Sequence, residues 1–213
     1  MNTQKMTAQT GQTQWLQQYY RLHSKIYDAT RWTFLFGRNE IITEIHNARA
    51  PARILEIGCG TGKNLARMAR LFPQAELTGI DLADAMLKVA RKKFAAMPQR
   101  VTFVSKPYEQ PLAPDNPFDL ILCSYSLSMM NPGWEGVIDC AARDLAPGGL
   151  MAVVDFHDSP FRAYKKWMAL NHVRLDAHLL PKLTERFQPV TQKICPAYRG
   201  LWTYFLFLGE RRA

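Results

Sequence analysis

Short apolar runs alternate with segments of helical periodicity through the middle of the chain. The apolar runs predict strands at residues 52–57, 76–80, 101–104, 118–123 and 150–155. The intervening segments carry apolar residues at helical spacing, most regularly at 64–71, 84–95 and 134–145. Strands that alternate with helices in this way predict a parallel sheet with right-handed crossovers.

The last part of the chain predicts a different local arrangement. A mixed segment covers 159–187, and two further apolar runs follow at 189–195 and 201–208. Two successive strands separated by a turn predict an antiparallel hairpin at the edge of the sheet. The expected fold is therefore α/β, with a seven-stranded, mostly parallel, doubly wound sheet.

The first part of the chain predicts a helical segment ahead of the sheet. From Trp15 to Ile45, apolar residues recur at helical intervals, with a break near Gly37. We expect two or three short helices that form a lid, and a disordered polar tail at 1–12. Residues 13–213 then form one domain, which divides into the lid at 13–48, an α/β core at 50–156, and substrate-side helices with the edge hairpin at 157–213.

Composition supports a single domain and adds a strong positive charge. The 213 residues include 27 lysines and arginines against 18 acidic residues, a formal charge of +9. This length is enough for one domain with a full hydrophobic core. The charge favours an anionic partner, which is nucleic acid, an acidic membrane surface or an acidic small molecule. A solvated basic surface explains the same charge, so charge alone does not choose among these.

The cysteines and the apolar runs bear on the cellular compartment. Cys59, Cys123, Cys140 and Cys195 lie far apart, without a CxxC pair or a His/Cys cluster at metal-ligand spacing. We therefore predict reduced cysteines, a cytoplasmic protein and no metal. The polar N-terminus is unlike a secretory signal. The longest apolar run, at 201–208, is too short to span a bilayer, so any membrane contact is expected to be peripheral.

The most informative segment is the junction of the first strand with the helix that follows it. The strand runs directly into three alternate glycines, Gly58, Gly60 and Gly62. Glycine allows a tight turn and lets a ligand approach the backbone, because it has no Cβ. Asp81 lies at the end of the second predicted strand, about 20 residues after the glycines. A carboxylate at this position can accept hydrogen bonds from ribose hydroxyls. The combination predicts a cofactor that contains a nucleoside.

The spacing of this loop distinguishes two kinds of cofactor. Dinucleotide sites use G-x-G-x-x-G/A to seat a pyrophosphate at a helix N-terminus. Here the spacing is G-x-G-x-G, and Glu56 lies two residues before the first glycine. A carboxylate at that point repels a pyrophosphate but attracts the cationic amino group and the sulfonium of S-adenosylmethionine.

At this loop the chain resembles the class I methyltransferases that use S-adenosylmethionine and have a Rossmann-like fold. The first motif of that family is close to E/D-x-G-x-G-x-G. The turn at 145–149, Leu-Ala-Pro-Gly-Gly, is similar to the family's L-x-P-G-G before the fifth strand. The resemblance covers residues 50–156. It implies methyl transfer from S-adenosylmethionine, with S-adenosylhomocysteine as the product.

The resemblance also implies a set of cofactor-binding residues in the core and in the lid. Asp81 and Leu82 look like the family's ribose-binding acid and its adenine-packing neighbour. Tyr20 and Arg31 are candidates to hold the carboxylate of the cofactor, since the lid is expected to fold over that end. The full set of predicted cofactor contacts is Tyr20, Arg31, Glu56, Gly58, Cys59, Gly60, Gly62, Asn64, Asp81, Leu82, Met86, Tyr108 and Ser124.

One departure from the family pattern concerns the adenine. Many members carry Gly-Asp-Ala after the third strand, and the aspartate holds the adenine amino group. This chain has Lys106, Pro107 and Tyr108 there. We expect the backbone or the ring of Tyr108 to replace the acidic contact.

The sequence after the fourth strand bears on the methyl acceptor. Enzymes that methylate exocyclic amines of DNA bases resemble one another in an N/D-P-P-Y/F signature directly after this strand. Here the chain continues from Cys123 with Ser-Tyr-Ser-Leu, and the Asn131-Pro132 pair falls too late and lacks the second proline. RNA cytosine-C5 enzymes need a cysteine beside a proline, which Cys123 does not have. No nucleic acid partner is therefore expected.

Several segments are similar to bacterial betaine-lipid N-methyltransferases, which are relatives of phosphatidylethanolamine and quinone methyltransferases. The betaine-lipid enzymes convert a diacylglyceryl homoserine lipid to its trimethylated form. The segments that carry this resemblance lie at 19–20, 26–32, 34–38, 124–129, 154–156 and 200–202, with Phe205. The resemblance implies a lipid amine as acceptor and peripheral contact with an anionic membrane. It also implies a partner enzyme that supplies the lipid substrate.

Amine methylation suggests roles for residues at the carboxyl end of the fifth strand. An alkyl ammonium must lose a proton before its nitrogen can be methylated. Asp155 is expected to hold the ammonium and His157 to relay the proton, with Tyr27 in the lid as a third catalytic candidate. A turn or cap residue is the structural alternative for Asp155, and an exposed loop histidine is the alternative for His157.

Further residues are candidates to bind the acceptor. Four tyrosines are suited to face a methylated ammonium by cation–π attraction, and each also fits a packing role: Tyr19, Tyr20, Tyr27 and Tyr125. Arg174 and the Lys165-Lys166 pair suit a headgroup carboxylate or a lipid phosphate, and equally a solvated basic face. The predicted substrate-binding set is Tyr19, Tyr125, Ser126 and Arg174.

Other acceptors and another class of protein stay open at this point. A quinone precursor, a soluble amine or phosphatidylethanolamine is the nearest rival acceptor, and RNA is a more distant one. A catalytically inert cofactor-binding partner subunit would bind S-adenosylmethionine without turnover on any acceptor.

Overall fold

The computed structural model describes residues 34–170 and 173–212. These residues form the strands β1 (Arg53–Ile57), β2 (Glu76–Asp81), β3 (Val101–Ser105), β4 (Phe118–Ser124), β5 (Leu145–Asp158), β6 (Phe187–Ala197) and β7 (Trp202–Arg211). They also form the helices α1 (Arg38–Ala48), α2 (Lys63–Leu71), α3 (Asp84–Lys93), α4 (Trp134–Asp144), α5 (Arg162–Leu170) and α6 (Leu179–Arg186). Short 3-10 helices lie at Leu127–Met129 and Tyr198–Gly200.

Part of the sequence prediction falls on residues outside these ranges. The tail at 1–12 and the lid up to residue 33 are among them. So are four predicted site residues, Tyr19, Tyr20, Tyr27 and Arg31.

The strands form one sheet in the order β3-β2-β1-β4-β5-β7-β6. Strands β1 to β5 run parallel to one another, and β7 is antiparallel to both β5 and β6. The strand order reverses between β1 and β4, and ligands of doubly wound sheets bind at the carboxyl ends of the strands at such a point. The predicted mostly parallel, seven-stranded sheet with its antiparallel C-terminal hairpin is confirmed.

The central strands are apolar along their length because both faces of the sheet are covered. Leu120, Ile121, Leu122 and Cys123 on β4 are all fully buried, although successive side chains point to opposite faces. Helices α1, α2 and α3 pack in one apolar layer, and α4 and α6 pack in the other. The carboxyl ends of the strands are then the natural place for a site.

Helix α1 is the described part of the predicted lid, and it packs closely on the sheet. Gly37 precedes the helix with a φ of 73°. A Cβ at Gly37 would come within 2.6 Å of the Tyr204 ring. Ile41, Ile42 and Ile45 are buried beneath the helix. The close approach to Tyr204 explains why a glycine interrupts the helical pattern at this point.

The largest departure from the predicted boundaries is in β5. The sequence places its start after the Pro147–Gly149 turn, whereas the strand begins at Leu145, which pairs with Phe118. The register shifts between Phe118 and Leu120, so the turn residues are accommodated as an irregularity within the strand. At its other end the strand continues to Asp158, past the predicted end at 155.

The mixed segment between β5 and β6 contains α5 and α6. Met168 of α5 is buried, whereas Trp167 and Leu170 of the same helix are exposed. Leu179 and Leu183 anchor α6 in the core. Within residues 34–170 and 173–212, no helix combines the length and the apolar character needed to cross a membrane.

Candidate active site

The loop after β1 is held against the end of β2 by backbone hydrogen bonds. The amides of Gly58 and Cys59 both donate to the carbonyl of Ile80, at 2.8 and 3.1 Å. Gly58, Gly60 and Gly62 have φ values of 70°, 53° and 71°. Glycine adopts this left-handed region without the strain that a side chain introduces. The conformation of the loop therefore requires the three alternate glycines.

Gly60 is the point where a ligand can approach the loop. A Cβ at Gly60 would meet no protein atom within 4 Å, whereas a Cβ at Gly58 would lie 2.6 Å from Ser126 Cβ. A Cβ at Gly62 would lie 3.1 Å from the Phe94 ring. Packing inside the protein thus accounts for Gly58 and Gly62. It does not account for Gly60, where the open space suits a cofactor that lies against the backbone.

Alanine at Gly60 and alanine at Gly58 are expected to have different effects. Gly60→Ala should lower the free energy of unfolding by about 1–2 kcal/mol, the strain of a left-handed residue. It should weaken S-adenosylhomocysteine binding at least tenfold, because the new methyl group occupies the ligand side of the loop. Gly58→Ala should destabilise the protein more, because its methyl group meets Ser126. Thermal unfolding and calorimetric titration measure both effects. Full affinity in Gly60→Ala would contradict the assignment of the open space.

Asp81 organises the glycine loop and also lies where a ribose is expected. Its Oδ2 accepts a hydrogen bond from the Gly60 amide at 2.8 Å, and its Oδ1 accepts one from the Ala83 amide at 2.8 Å. Each carboxylate oxygen can accept more than one hydrogen bond, so ribose hydroxyls are compatible with these contacts. The predicted ribose-binding acid therefore lies directly beside the open glycine.

Glu56 is a buried acid near the carboxyl end of β1. Its Oε1 accepts a hydrogen bond from Asn64 Nδ2 at 2.7 Å, whereas its Oε2 is buried without a hydrogen-bond partner. Burial raises the pKa of this carboxyl from 4.5 to about 7, and the Asn64 hydrogen bond and the Arg38 guanidinium partly oppose the rise. An unsatisfied buried carboxylate oxygen is costly. The cationic amino group of S-adenosylmethionine fits this position because it supplies both a charge and a hydrogen bond.

The remaining predicted cofactor residues around the loop differ in accessibility. Cys59 is buried, and its Sγ would lie 2.7 Å from a Cβ on Gly79, so the thiol packs beneath the loop. Met86 on α3 is also buried. Leu82 and Ser124 are half-buried at the ends of β2 and β4, but Ser124 Oγ is itself buried without a hydrogen-bond partner. Leu82 is therefore the more accessible candidate for side-chain contact with a cofactor, and the contact of Ser124 stays a prediction.

The ring of Tyr108 does not replace the missing adenine contact. Its hydroxyl donates to Asp144 Oδ2 at 2.6 Å, and the ring is buried in the apolar layer on the α4 side. Asp144 also accepts the amides of Leu112 and Ala113, at 2.6 and 3.0 Å. Tyr108 therefore ties the segment after β3 to α4. This corrects the expectation for its ring, and only its backbone stays a predicted adenine contact.

Asp155 is a buried anchor for the turn after β4. Its Oδ2 accepts the amide of Ser128 at 3.1 Å, and its Oδ1 accepts its neighbour's amide, that of Phe156, at 2.8 Å. Burial raises the pKa of Asp155 to about 6, and these hydrogen bonds oppose the rise. Both oxygens of Asp155 thus bond to backbone amides and position the turn, which is the structural alternative for this residue. Contact of Asp155 with the acceptor ammonium stays a prediction.

Tyr125 and Ser126 also have structural contacts. The Tyr125 hydroxyl donates to the carbonyl of Phe36 at 2.8 Å, and its ring lies edge-on to Phe156 with 4.8 Å between centroids. The ring is buried, which agrees with the packing role, and its contact with a methylated ammonium stays a prediction. Ser126 packs against Gly58. The two residues therefore shape the loop and hold the segment that leads into α1.

His157 carries an unpaired nitrogen at the carboxyl end of β5. Its Nδ1 is buried without a hydrogen-bond partner. Burial lowers the pKa of the imidazole below its ordinary 6.5. The ring is then neutral at pH 7, and an unprotonated imidazole nitrogen is a proton acceptor. This arrangement is compatible with the predicted proton relay.

Arg174 is paired with Asp176, a residue that the sequence analysis did not single out. Arg174 Nε donates to Asp176 Oδ2 at 3.1 Å, and His178 Nδ1 contacts the other carboxylate oxygen. The His178 ring lies edge-on to Trp134, with 4.8 Å between centroids. Arg174, Asp176 and His178 are an acid and two bases at every second position. This pattern is common in exposed segments, so the sequence alone does not mark the group as part of a site. Contact of Arg174 with an acceptor stays a prediction.

The core of the chain, which contains the glycine loop, is similar to a known family of domains. Residues 54–149 match the family model described as a methyltransferase domain. The matched residues run from β1 into β5 and include Glu56, the glycine loop and Asp81. This similarity agrees with the methyltransferase domain predicted for this part of the chain.

Named relatives are similar over the same part of the chain. A trans-aconitate 2-methyltransferase from Acidovorax sp. (strain JS42) is 38% identical over 104 residues, which cover 49% of this chain and 38% of that protein. A demethylmenaquinone methyltransferase from Thermus thermophilus is 32% identical over 116 residues, which cover 54% of this chain and 52% of that protein. The chain thus spans about half or less of the length of these curated relatives.

A solved structure has the same fold. The N-methyltransferase NodS from Bradyrhizobium japonicum WM9, in complex with S-adenosyl-L-homocysteine, matches with a TM-score of 0.69 and 21% identity. The match covers 83% of this chain and 86% of the NodS chain. It confirms the predicted α/β architecture beyond the limits of the methyltransferase domain match.

Proposed function

We propose that this protein is an S-adenosylmethionine-dependent methyltransferase that acts on the amine of a lipid headgroup, with diacylglyceryl homoserine as the acceptor. One observation carries the proposal for the cofactor. The buried carboxylate of Glu56 has an unpartnered oxygen, and the glycine loop that follows is open at Gly60. A ligand with a cationic amino group beside a nucleoside fits this combination.

The described residues divide the work of holding the cofactor. Glu56 binds the amino group, and Asn64 fixes the orientation of the Glu56 carboxylate. Asp81 binds the ribose hydroxyls, and Gly60 lets the ligand lie against the backbone. When bound, S-adenosylmethionine supplies an electrophilic methyl group on a sulfonium.

The acceptor nitrogen must be unprotonated and aligned with the methyl group. An alkyl ammonium with a pKa similar to that of lysine is mostly protonated at neutral pH, and alignment provides much of the rate of such a displacement. His157, which is half-buried at the carboxyl end of β5, accepts the departing proton on its imidazole. Asp155 acts indirectly, through the turn at Leu127–Met129 that it anchors.

A lipid acceptor is supported by charge and by surface chemistry. The formal charge of +9 attracts an anionic membrane surface. Phe161 and Trp167, shortly after the end of β5, are each 53% exposed. Amine chemistry is supported by the similarity of the fold to a protein named as an N-methyltransferase. The betaine-lipid resemblance of the sequence segments adds the headgroup.

A quinone precursor is the second candidate acceptor. The observation that favours it is the 32% identity to the Thermus thermophilus demethylmenaquinone methyltransferase. In that case a ring carbon would be the nucleophile, and the proton on that carbon would leave after the methyl group is attached. His157→Gln should slow amine methylation at least tenfold, and the identity of the labelled product distinguishes the two acceptors.

Transfer of labelled methyl groups to a panel of acceptors tests the proposal. Anionic mixed micelles containing diacylglyceryl homoserine should become labelled stepwise with one, two and three methyl groups. Phosphatidylethanolamine, a quinone precursor and RNA run in parallel, and Gly60→Ala serves as the variant impaired in cofactor binding. Label in another acceptor would refute the lipid assignment. Binding of S-adenosylmethionine without transfer to any acceptor would favour an inert partner subunit.

A further inference from the structure

Large exposed apolar side chains are concentrated beside the end of β5. Phe161, Trp167 and Leu170, which lie on α5 or immediately before it, are 53%, 53% and 79% exposed. Tyr198 and Leu201, at the turn between β6 and β7, are 50% and 36% exposed. We call these five residues the apolar edge. Monomeric proteins seldom expose large apolar side chains in such a cluster without a binding role.

The two halves of the apolar edge are joined beneath the surface by Tyr164 and Trp202. The Tyr164 ring lies 5.7 Å from the ring of Trp167 and stacks on Trp202 at 5.6 Å. Trp202 is buried and lies 4.9 Å from the ring of Tyr198. Hydrogen bonds of Ser159 connect the same two segments a second time. Ring contacts and hydrogen bonds therefore hold the two parts of the apolar edge together.

Basic residues lie among the residues of the apolar edge, and helix α5 contains no acidic residue. The charged residues of α5 are Arg162, Lys165 and Lys166. Arg162 and Lys166 are exposed, and Arg199 is a further exposed base at the turn between β6 and β7. Aromatic and aliphatic side chains mixed with bases suit the headgroup boundary of an anionic bilayer. A protein partner with an apolar patch would not require this charge.

The apolar edge is linked to the end of β5, the strand that carries His157. Lys165 forms an ion pair with Asp158, the last residue of β5. Asp158 follows His157, the proposed proton acceptor. A lipid in a membrane that covers the apolar edge would therefore present its headgroup near the carboxyl end of β5.

We infer that the apolar edge docks the protein on an anionic lipid bilayer. Phe161, Trp167 and Leu170 insert at the headgroup boundary, while Arg162 and Lys166 contact anionic headgroups. The inference rests on the proposed lipid acceptor and extends it, because the acceptor then reaches the site without leaving the membrane.

Co-sedimentation with lipid vesicles tests the apolar part of this surface. The wild-type protein should bind vesicles of equal parts phosphatidylglycerol and phosphatidylcholine, and should bind pure phosphatidylcholine more weakly. The triple variant Phe161→Ser/Trp167→Ser/Leu170→Ser should reduce the partition coefficient at least tenfold. The control Val89→Ser/Met97→Ser removes side chains that are 41% and 42% exposed on α3 and in the turn after it. It should bind as the wild type does.

A charge variant tests the basic part independently. Each base contributes roughly fivefold to partitioning at an anionic surface. Arg162→Gln/Lys166→Gln should therefore weaken binding to anionic vesicles by more than tenfold and leave binding to phosphatidylcholine unchanged. Raised salt should reduce the wild-type affinity toward that of this variant.

Three results would overturn the inference. They are unchanged binding in the triple variant, a wild-type protein that ignores both vesicles, and a concentration-dependent dimer that the triple variant abolishes. Failure of the proposed function is distinguishable from failure of this inference. If the proposed function holds, the triple variant should still bind S-adenosylhomocysteine and methylate a detergent-dispersed acceptor. Vesicle binding without methylation of any acceptor by the wild type would contradict the proposed function and leave the docking surface in place.

Discussion

Replacing Glu56 with glutamine should weaken the binding of S-adenosylmethionine about 100-fold and remove the pH dependence of binding. A buried, charge-assisted hydrogen bond to an ammonium contributes roughly 2–3 kcal/mol, which corresponds to this factor. The carboxyl has a pKa of about 7 in the unliganded protein. Wild-type affinity should therefore fall as the pH is lowered from 8 to 6, because Glu56 becomes protonated. Calorimetric titration at several pH values measures both effects.

The same substitution should stabilise the unliganded protein. Because the folded-state pKa of Glu56 lies above its ordinary 4.5, the ionised side chain disfavours folding, and this cost grows as the pH rises from 4.5 to about 7. The neutral glutamine avoids the cost. At pH 8, Glu56→Gln should raise the free energy of unfolding by up to roughly 3 kcal/mol, and the gain should disappear below pH 4.5.

Glu76→Gln is the matched control for Glu56→Gln. Glu76 begins the neighbouring strand β2, its side chain is 70% exposed, and it pairs with Arg53. Its replacement should leave both the affinity and its pH dependence as in the wild type. If Glu56→Gln bound S-adenosylmethionine as tightly as the wild type, Glu56 would have no role at the amino group of the cofactor.

Replacing Asp81 with alanine should weaken S-adenosylhomocysteine binding at least tenfold. The loss should exceed tenfold if ribose binding and ordering of the glycine loop contribute independently. The variant loses the proposed ribose hydrogen bonds. It also loses the carboxylate that accepts the amides of Gly60 and Ala83, both at 2.8 Å. The glycine loop should then be less ordered before the ligand arrives. Calorimetry measures the affinity, and amide hydrogen exchange at Gly60 measures the order of the loop.

Asp84→Ala provides the comparison for Asp81→Ala. Asp84 is three residues further along the chain, is exposed, and forms surface ion pairs with Lys88 and Arg91. Such pairs contribute little to stability, so this variant should bind S-adenosylhomocysteine within about twofold of the wild type. Equal affinity of Asp81→Ala and Asp84→Ala would remove the ribose assignment.

The arrangement of the sheet was predictable because burial on both faces leaves a direct mark on the sequence. The apolar run at 118–123 corresponds to β4, whose residues Leu120 to Cys123 are fully buried. The start of β5 was not predictable. Pro147 and Gly148 usually end a strand, whereas here an irregular register lets Leu145 pair with Phe118. Whether a neighbouring strand accommodates such an irregularity depends on tertiary packing, which the local pattern does not contain.

The glycine loop was predictable for a related reason. A backbone that must adopt a left-handed conformation near a ligand admits few residue types, so the requirement appears in the sequence itself. The sequence contains no comparable pattern that indicates the roles of Asp155, Tyr108 and Tyr125. Each depends on a hydrogen-bond partner distant in sequence, such as Asp144 for Tyr108 and the Phe36 carbonyl for Tyr125. Only the fold determines which of these side chains face a ligand and which support the loops.

Parallel calorimetric titrations of the wild-type protein with S-adenosylhomocysteine and with NAD⁺ test the central claim most directly. The carboxylate of Glu56 beside the G-x-G-x-G loop should favour the amino group of S-adenosylhomocysteine and repel a pyrophosphate. We expect one molecule of S-adenosylhomocysteine to bind per chain, with micromolar affinity, and no heat of binding from NAD⁺. Binding of NAD⁺ without binding of S-adenosylhomocysteine would contradict the account.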